Sequence, residues 1–340
     1  MVQTLADIGE FGLIRRIHEL IDQEGVKAPG VTLGIGDDCA AFLPDKGYEI
    51  LVTCDCMVEG RHYLSGHITP FDLGRRAMVM NISDVGAMGG IPLYALVSLG
   101  LKKDTPVNDI ENMYRGFIHE LNPLGAAVIG GNITGSDYTS FINITLTGKV
   151  EKERMMRRSG ARAGDVILVT GYPGQAAAGI KKLLDNHPGD DLSKDPLVMA
   201  YNLPAHRARE GRAVALSGFA TAMIDISDGL IGDLSHICEE SGVGADIIRN
   251  NLPFSRHMRN LISPQGWDIY EMIIGDSDDY ELIITCGPEN TDNIKAVIAE
   301  ISDVPVTEIG NITAPVGIKI ITPDGVRHPV KPIGWDHFKR

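Results

Sequence analysis

Short apolar strands that alternate with helices constrain the fold of this chain more than any other feature. Before residue 150, the spacing predicts a helix over Pro70–Met88 and a short buried strand at Ala126–Ile129. A charged stretch follows, and beyond it the pattern restarts with a strand at Val166–Thr170. Strands interleaved with helices on both sides of one boundary predict an α/β (or α+β) fold with two domains, residues 1–150 and 151–340.

Length and charge limit the classes of partner that such a protein can bind. The 340 residues, 44% hydrophobic and 22% charged, suffice to bury a core in each domain. A formal net charge of −14 argues against nucleic acid or an anionic membrane as partner, although phosphate ligands stay compatible if metal ions intervene. No apolar run reaches the ~20 residues of a membrane span, and the N-terminus lacks the features of a signal peptide. We therefore expect a cytoplasmic location.

The cysteines suggest neither a disulfide framework nor a zinc site. They are odd in number and scattered, at Cys39, Cys54, Cys56, Cys238 and Cys286. The Cys54-x-Cys56 pair lacks the second pair that a zinc site needs. We expect reduced thiols, most of them buried.

Short acidic clusters beside small residues or at strand ends indicate where the chemistry lies. They are Asp37-Asp38, Asp55, Asp84, Asp225 with Asp228, and Asp276 with Asp278 and Asp279. A single Asp most often forms a turn or caps a helix. Neighbouring carboxylates, however, repel one another unless a cation compensates, and they are the hard oxygen donors that Mg²⁺ prefers. The clusters together predict a site for divalent metal ions.

The segment Asp225–Gly229 lies where a predicted strand meets a predicted helix. Asp225 and Ser227 would point to one face of the extended segment, and Asp228 could cap the helix that follows. Two carboxylates and a hydroxyl at a strand end favour a ligand or ion over a purely structural role.

The familiar nucleotide-binding motifs are absent. The sequence contains neither a P-loop nor the third glycine of a dinucleotide fingerprint. The turn at Gly171–Gly174 could approach a phosphate, but a simple strand–helix connection is the favoured interpretation. No Ser/His/Asp signature is present either.

Motifs spread over essentially the whole chain resemble the thiamine-monophosphate kinase family in order and spacing. They include Gly34-Ile35-Gly36-Asp37-Asp38, Val58-Glu59-Gly60-x-His62, Asn81-x-Ser83-Asp84, Ile129-Gly130-Gly131, Arg158-Ser159-Gly160, Asp225-Ile226-Ser227-Asp228-Gly229, Asp279-Tyr280-Glu281 and Gly334-Trp335-Asp336. The resemblance implies a two-domain fold of the aminoimidazole ribonucleotide synthetase type, whose N-terminal sheet pairs with its copy across a homodimer. It also implies transfer of phosphate from ATP to thiamine monophosphate, giving thiamine diphosphate, with several Mg²⁺ ions.

Residue roles follow from the resemblance position by position. Metal ligands would be Asp38, Thr53, Cys54, Asp55, Asp84, Asn132, Asp225 and Asp228, with Thr53 and Cys54 acting partly through main-chain oxygens. ATP would contact Tyr114, Gly131, Arg158 and Ser227, and thiamine monophosphate would contact His62, Asp278 and Trp335. No residue is assigned as general base, because a phosphate nucleophile is already anionic near neutral pH.

Two departures from the family pattern leave alternatives open. Asn132 stands where the family has Asp, and Asp276–Glu281 replaces Gly-Gly-Glu-Asp-Tyr-Glu. One alternative is a relative on the same fold that phosphorylates another phosphomonoester, or that uses ATP to activate an amide or acyl oxygen. Another is a non-catalytic nucleotide-binding protein, which the retained aspartates argue against.

Overall fold

Two β-sheets, one in each half of the chain, organise the computed structural model, which describes residues 31–33, 40–185, 191–260 and 268–331. The N-terminal half contains β1 (Val31–Leu33), β2 (Ala40–Asp45), β3 (Tyr48–Val58), α1 (Pro70–Ala87), β4 (Ile91–Leu101), α2 (Val107–Leu121), β5 (Ala127–Gly135) and β6 (Phe141–Glu151). The C-terminal half contains β7 (Val166–Thr170), α3 (Gln175–Leu184), α4 (Pro196–Asn202), α5 (Ala208–Ser217), β8 (Ala220–Asp225), α6 (Leu230–Ser241), β9 (Gly244–Ile248), α7 (Arg256–Arg259), α8 (Ile269–Ile274), β10 (Leu282–Cys286), α9 (Thr291–Ala299), β11 (Val306–Thr313), β12 (Gly317–Ile321) and β13 (Arg327–Val330). The mixed α/β class predicted from the sequence is confirmed.

The N-terminal sheet has the strand order β1-β2-β3-β6-β4-β5. β3 and β6 pair antiparallel along their whole length, from Tyr48 opposite Glu151 to Val58 opposite Phe141. Side chains of β6 alternate between buried and half-buried, as in a sheet with one covered face. The covered face packs against α1 and α2, whereas the other face leaves Tyr94 51% and Leu96 46% exposed.

Helix α1 lies between the two sheets. Its start follows from the sequence Thr69-Pro70, because the Thr69 hydroxyl accepts a hydrogen bond from the Asp72 amide at 3.1 Å and Pro70 suits the first turn. Gly86 allows α5 to approach closely, since a Cβ there would lie 2.6 Å from the Ala208 Cα. A helix buried on nearly every side thereby holds its polar residues at fixed positions between the halves.

The C-terminal sheet has the order β13-β12-β9-β11-β7-β10-β8. β8 and β10 pair antiparallel, with Asp225 opposite Leu282. The chain after β8 and the chain before β10 therefore leave the sheet at the same edge, where the Tyr280 amide donates to the Ile226 carbonyl at 2.8 Å. This edge faces α1 and β3 and completes the site described next.

The short buried strand predicted at Ala126–Ile129 is wrong in extent and burial. β5 runs from Ala127 to Gly135 and is mostly exposed among the described residues, because it is the edge strand of its sheet. Among the described residues, no helix has the length and apolarity needed to cross a membrane.

Candidate active site between the two halves

A cleft of about 880 Å³ lies between the two sheets. It is bounded by the end of β3 and the segment after it, by α1 and by the segments that flank Ser227 and Asp278. Of the described residues that line it, five are aspartates (Asp55, Asp84, Asp228, Asp276 and Asp278), two are arginines (Arg61 and Arg76) and none is a lysine. The cleft therefore has the charge balance of a cation-binding site rather than of a lysine-lined phosphate cradle.

The N-terminal carboxylates are held by β3 and α1. The Thr53 hydroxyl donates to the Asp84 carboxylate, so a strand residue fixes a helix residue. Asp55 lies two residues beyond Thr53 on the same face of β3 and lines the cleft with Asp84. Cys54 also reaches the cleft, although its side chain points to the opposite face, where Sγ lies 3.4 Å from the Thr145 hydroxyl.

A hydrogen bond joins this group to the C-terminal half. The Ser83 hydroxyl on α1 donates to Asp225 at the end of β8, at 2.5 Å. Asp225 is only 1% exposed and therefore lies behind Asp228, which lines the cleft itself. Asp225 and Asp228, the two predicted metal ligands of this segment, therefore differ in position, with Asp228 at the cleft surface and Asp225 buried behind it.

The capping role expected for Asp228 belongs to another residue. Asp233, in the first turn of α6, accepts hydrogen bonds from the amides of Ser227, Asp228 and Gly229 at 3.0, 3.0 and 3.1 Å. The cap position of α6 is Gly229, whose φ of +112° suits glycine and whose missing Cβ would lie 2.0 Å from the Gly275 carbonyl oxygen. The N-cap residue of α6 is therefore Gly229 and not Asp228.

The carboxyl groups of Asp225, Asp228 and Asp233 lie close together at one edge of the cleft, which we call the acidic edge. Burial raises the pKa of Asp233 well above its usual range, and the charges of Asp228 and Asp225 act in the same direction. Arg158 lies close enough to oppose this pKa shift, and it also lowers the pKa of His236, which burial brings to about 4. Ligand atoms of Asp228, Asp233 and His236 all lie within 4.8 Å of one another. The donor set at this edge, rich in hard oxygen atoms and short of compensating charge, fits Mg²⁺.

Asp278, Asp279 and Glu281 in the 276–281 segment each have a separate partner. Asp278 lines the cleft and pairs with the guanidinium of Arg76, which is 2% exposed and also donates to the Tyr201 carbonyl. Asp279 accepts from the amides of Gly174 and Ala176 at 2.5 and 2.9 Å, at the start of α3.

These last contacts occupy the turn that follows β7. Because Asp279 takes two of the first amide groups of α3, they are not directed at a phosphate, and the simple strand–helix connection predicted for Gly171–Gly174 is confirmed. Glu281 in turn forms two bonds with Arg207, at 2.6 and 2.5 Å, and accepts from the Thr170 hydroxyl. The segment thus ties the cleft to α3 and α5.

His62 lies in the cleft with a defined ring orientation. Its Nδ1 accepts a hydrogen bond from the Val58 amide at 3.0 Å, which places the proton of the neutral ring on Nε2. Its carbonyl accepts from the Tyr201 hydroxyl at 3.2 Å. The Arg76 guanidinium lies over the same Tyr201 ring at 4.0 Å from its centroid, so a tyrosine links Arg76 to His62.

Three predicted residues lie away from the cleft in this single chain. Tyr114 is on α2, where its ring packs edge-on against Phe117 at 5.2 Å. Gly131 and Asn132 are on β5, and Asn132 is connected through Ser98 and Asn143 to Cys56 on β3. Three strand spacings separate Asn132 from β3, which amounts to about 14 Å.

Other predicted residues have different outcomes. Asp38 and Trp335 lie outside the described residues. Of the described cysteines, Cys238 and Cys286 are buried as expected, whereas Cys54 and Cys56 are exposed, because they project from the uncovered face of the N-terminal sheet.

Several residues of the site were not found from the sequence. They are Arg76, Tyr201, Tyr280, Asp233 and His236, and they contact the cleft or its acidic edge. Asp233 carries a readable signal, since an acid in the first turn of a helix after Asp-Gly is placed to accept backbone amides. Tyr201 lies on α4. The start of this helix is readable from the sequence, because Asp195 is its N-cap and Pro196 its first helical residue.

The comparisons with known proteins agree over the full chain. Residues 36–150 match the family described as AIR synthase related protein, N-terminal domain, and residues 162–322 match its C-terminal domain. The chain is 32% identical to the thiamine-monophosphate kinase of Aquifex aeolicus, covering 98% of this chain and 99% of that one, and 34% identical to that of Haemophilus influenzae, covering 98% of each. A solved structure described as "AaThiL complexed with AMPPCP and TMP" superposes with a TM-score of 0.85 at 31% identity, covering 99% of this chain and 100% of the other.

Proposed function

This chain belongs to the thiamine-monophosphate kinase family, and on that premise we propose that it transfers the terminal phosphoryl group of ATP to thiamine monophosphate, producing thiamine diphosphate. The family resemblance stated from the sequence is thus confirmed. The observation that carries the proposal is that Asp55, Asp84 and Asp228 line one cleft together with His62 and Asp278. Metal-binding and acceptor-binding candidates from both halves therefore surround one space.

The acidic edge is the proposed place of the nucleotide. Asp55, Asp84 and Asp228 would hold Mg²⁺ in the cleft, with Asp225 behind them and the main-chain oxygens of Thr53 and Cys54 beside them. When bound, the ions would neutralise the phosphate oxygens as charge moves between them. Ser227 and Arg158 flank the same edge and are suited to contact the phosphates. The predicted ligand Asp38 belongs to the same proposed set.

The opposite part of the cleft is the proposed place of the acceptor. His62, with its proton on Nε2, can donate to the acceptor phosphate, and Tyr201 and Tyr280 offer aromatic surface to a cationic ring. Asp278 is already paired with Arg76, so its role in recognising the cation is weaker than its charge suggests. Trp335 remains a proposed contact for the thiamine moiety.

The chain's own contribution to the rate is positioning. Because the attacking group is a phosphate oxygen, no side chain has to remove a proton before transfer. The buried helix α1 and the Thr53 hydroxyl fix Asp84, and the Ser83 hydroxyl fixes Asp225. A site of this kind holds two phosphates in line and excludes water as a competing acceptor.

A homodimer would bring the remaining residues to the site. The uncovered face of the N-terminal sheet carries the exposed Tyr94 and Leu96, and it also carries Cys56 and Asn132 at opposite ends of one row. If two such faces pack about a two-fold axis parallel to the strands, the order β3-β6-β4-β5 reverses and places β5 of one copy over β3 of the other. Gly131 and Asn132 of the partner subunit would then approach the metal site, and Tyr114 would accompany them. The cytoplasmic location expected from the sequence stays a prediction.

The proposal is tested by ADP release with a panel of acceptors. Wild-type protein is assayed with ATP, Mg²⁺ and either thiamine monophosphate, thiamine, pyridoxal phosphate or an aminoimidazole precursor. We expect ADP with thiamine monophosphate alone, and none when Mg²⁺ is omitted. ADP with a different phosphomonoester would favour the relative with another acceptor, and ATP binding without ADP release would favour a non-catalytic nucleotide-binding protein.

A further inference from the structure

Three backbone amides at the acidic edge converge on one carboxylate oxygen. Asp233 Oδ2 accepts from the amides of Ser227, Asp228 and Gly229, at 3.0 to 3.1 Å, and Asp233 is 2% exposed. These three amides belong to the loop that presents Ser227 and Asp228 to the cleft. The loop is therefore attached to a side chain that does not itself line the cleft.

The side chain that holds the loop is itself immobile. Asp233 belongs to α6, whose Leu230, Ile231, Leu234 and Ile237 are fully buried in the C-terminal core. An acid in the first turn of a helix is further favoured by the partial positive charge at the helix N-terminus. The position of Oδ2 is consequently set by the packing of α6 rather than by the loop.

The loop is fixed at its two ends as well. The Ile226 amide donates to the Glu281 carbonyl at 2.7 Å, and the Gly229 Cα lies against the Gly275 carbonyl. Between these ends, the mutual repulsion of the Asp225, Asp228 and Asp233 carboxylates favours an open loop. The three amide bonds to Asp233 oppose that opening and keep the Asp228 backbone in place.

A ligand role for Asp233 is less favourable than this one. Oδ2 is already used by three amides, and the Arg158 guanidinium lies near enough to alter the pKa of the Asp233 carboxyl. An oxygen atom that already accepts three amide hydrogen bonds has little capacity left to coordinate a cation. Asp228, which lines the cleft itself, is the better ligand.

We propose that Asp233 is a positioning residue of the phosphoryl-transfer site, which fixes the backbone of residues 227–229 so that Ser227 and Asp228 face the nucleotide and its metal ions. The inference rests on the proposed function, because it takes the acidic edge to be the place of the nucleotide. Residues that orient a metal ligand from behind typically change metal affinity or activity by ~10- to 100-fold when replaced.

The test compares Asp233→Asn and Asp233→Ala with Glu240→Gln, which removes an exposed carboxylate from the same helix. Binding of AMPPCP is measured by calorimetry at several Mg²⁺ concentrations, well below the melting temperature of each variant. We expect Asp233→Asn to weaken AMPPCP binding by about tenfold at limiting Mg²⁺, with partial recovery at high Mg²⁺, and Asp233→Ala to weaken it further. Glu240→Gln should bind as the wild type does.

A purely structural role predicts a different result. Both Asp233 variants would then melt at a lower temperature but bind AMPPCP with wild-type affinity and wild-type Mg²⁺ dependence when folded, and this outcome overturns the proposal. If Asp233→Ala does not fold, the result for Asp233→Asn decides. The binding measurement needs no turnover. A wild type that binds AMPPCP but does not phosphorylate thiamine monophosphate would count against the proposed function, and the binding data would still test the role of Asp233.

Discussion

Asp55 lies at the cleft end of β3, where it lines the proposed metal site together with Asp84. Asp55→Asn keeps the size of the side chain but removes a charge that would hold Mg²⁺. We expect turnover to fall by about 100-fold or more, because electrostatic stabilisation carries most of a transfer of this kind. The measurement is steady-state ADP formation at saturating Mg²⁺, together with the melting temperature, which should change little.

A matched control for Asp55 is available on the surface. Asp104→Asn removes the same charge from an exposed position that does not line the cleft, and its turnover should equal that of the wild type. Near wild-type turnover of Asp55→Asn would remove Asp55 from the metal site.

The Arg76–Asp278 pair joins the two halves of the chain across the cleft. Arg76 is on α1 and its side chain is 2% exposed, whereas the Asp278 side chain is 29% exposed. Asp278→Asn leaves the guanidinium buried without its counter-charge. Breaking a fully buried pair costs about 3–5 kcal/mol, so we expect a loss of about 2 kcal/mol in the free energy of unfolding for this partly exposed one.

Chemical denaturation of the single and double variants measures that coupling. The double variant Arg76→Met with Asp278→Asn should recover part of the loss, since neither charge then remains unpaired. The surface pair Arg115–Glu111, whose side chains are both 57% exposed, should show almost no coupling in the equivalent cycle. Additive effects of Arg76→Met and Asp278→Asn would contradict the account of a paired carboxylate.

At the scale of the element, α5 begins beside a buried histidine. His206 accepts a hydrogen bond from the Ala208 amide at 3.3 Å, and burial lowers its pKa to about 4, assisted by Arg207, Arg209 and Arg75. Glu120 lies 3.7 Å from the ring but is shared with Arg75, so it does not reverse the pKa shift. The folded chain therefore keeps this histidine neutral well below pH 6.5.

The stability that follows from a neutral His206 depends on pH. The pKa of His206 is lower in the folded chain than in the unfolded one. The stability that the neutral ring contributes is therefore fully present above about pH 6.5 and is lost as the pH falls towards 4. We expect the difference in unfolding free energy between wild type and His206→Asn to shrink by about 2–3 kcal/mol over that window. Urea titrations at several pH values measure it, and a difference that does not vary with pH would contradict a buried neutral ring.

Some elements could be predicted from the sequence and others could not. The strand and helix on either side of Asp225–Gly229 follow from local apolar spacing, and the structure has them as β8 and α6. α4 has only seven residues and follows a polar stretch, so spacing alone does not reveal it. The exposure of β5 depends on its place at the edge of the sheet, which is a property of the whole sheet and not of its residues.

Some residues of the candidate site could likewise be predicted from the sequence and others could not. The aspartates could be proposed because several carboxylates cluster at strand ends, and neighbouring carboxylates repel one another unless a cation compensates. Arg76 could not be predicted as a site residue, because its partner Asp278 is 202 positions away in the sequence and lies on the other side of the cleft. Charge compensation between distant segments is visible only once the fold brings them together.

At the scale of the whole molecule, the proposed homodimer depends on the uncovered face of the N-terminal sheet. Leu96→Glu places a charge on that face, where Leu96 is 46% exposed in the single chain. We expect analytical ultracentrifugation to show a dimer for the wild type and a monomer for Leu96→Glu, with activity lost in parallel. Val316→Glu, at an apolar position of the C-terminal half that is 74% exposed, should remain dimeric. A dimeric Leu96→Glu would move the interface elsewhere.

The central claim is direct phosphoryl transfer to a phosphate acceptor, and the fate of the terminal phosphate of ATP tests it. In a single turnover with γ-labelled ATP, Mg²⁺ and thiamine monophosphate, the products are separated by chromatography. We predict that the label appears in thiamine diphosphate, in an amount equal to the ADP formed, and that Asp55→Asn forms neither product on that time scale. Label recovered as inorganic phosphate, with thiamine monophosphate unchanged, would contradict the account and favour ATP-dependent activation of another acceptor.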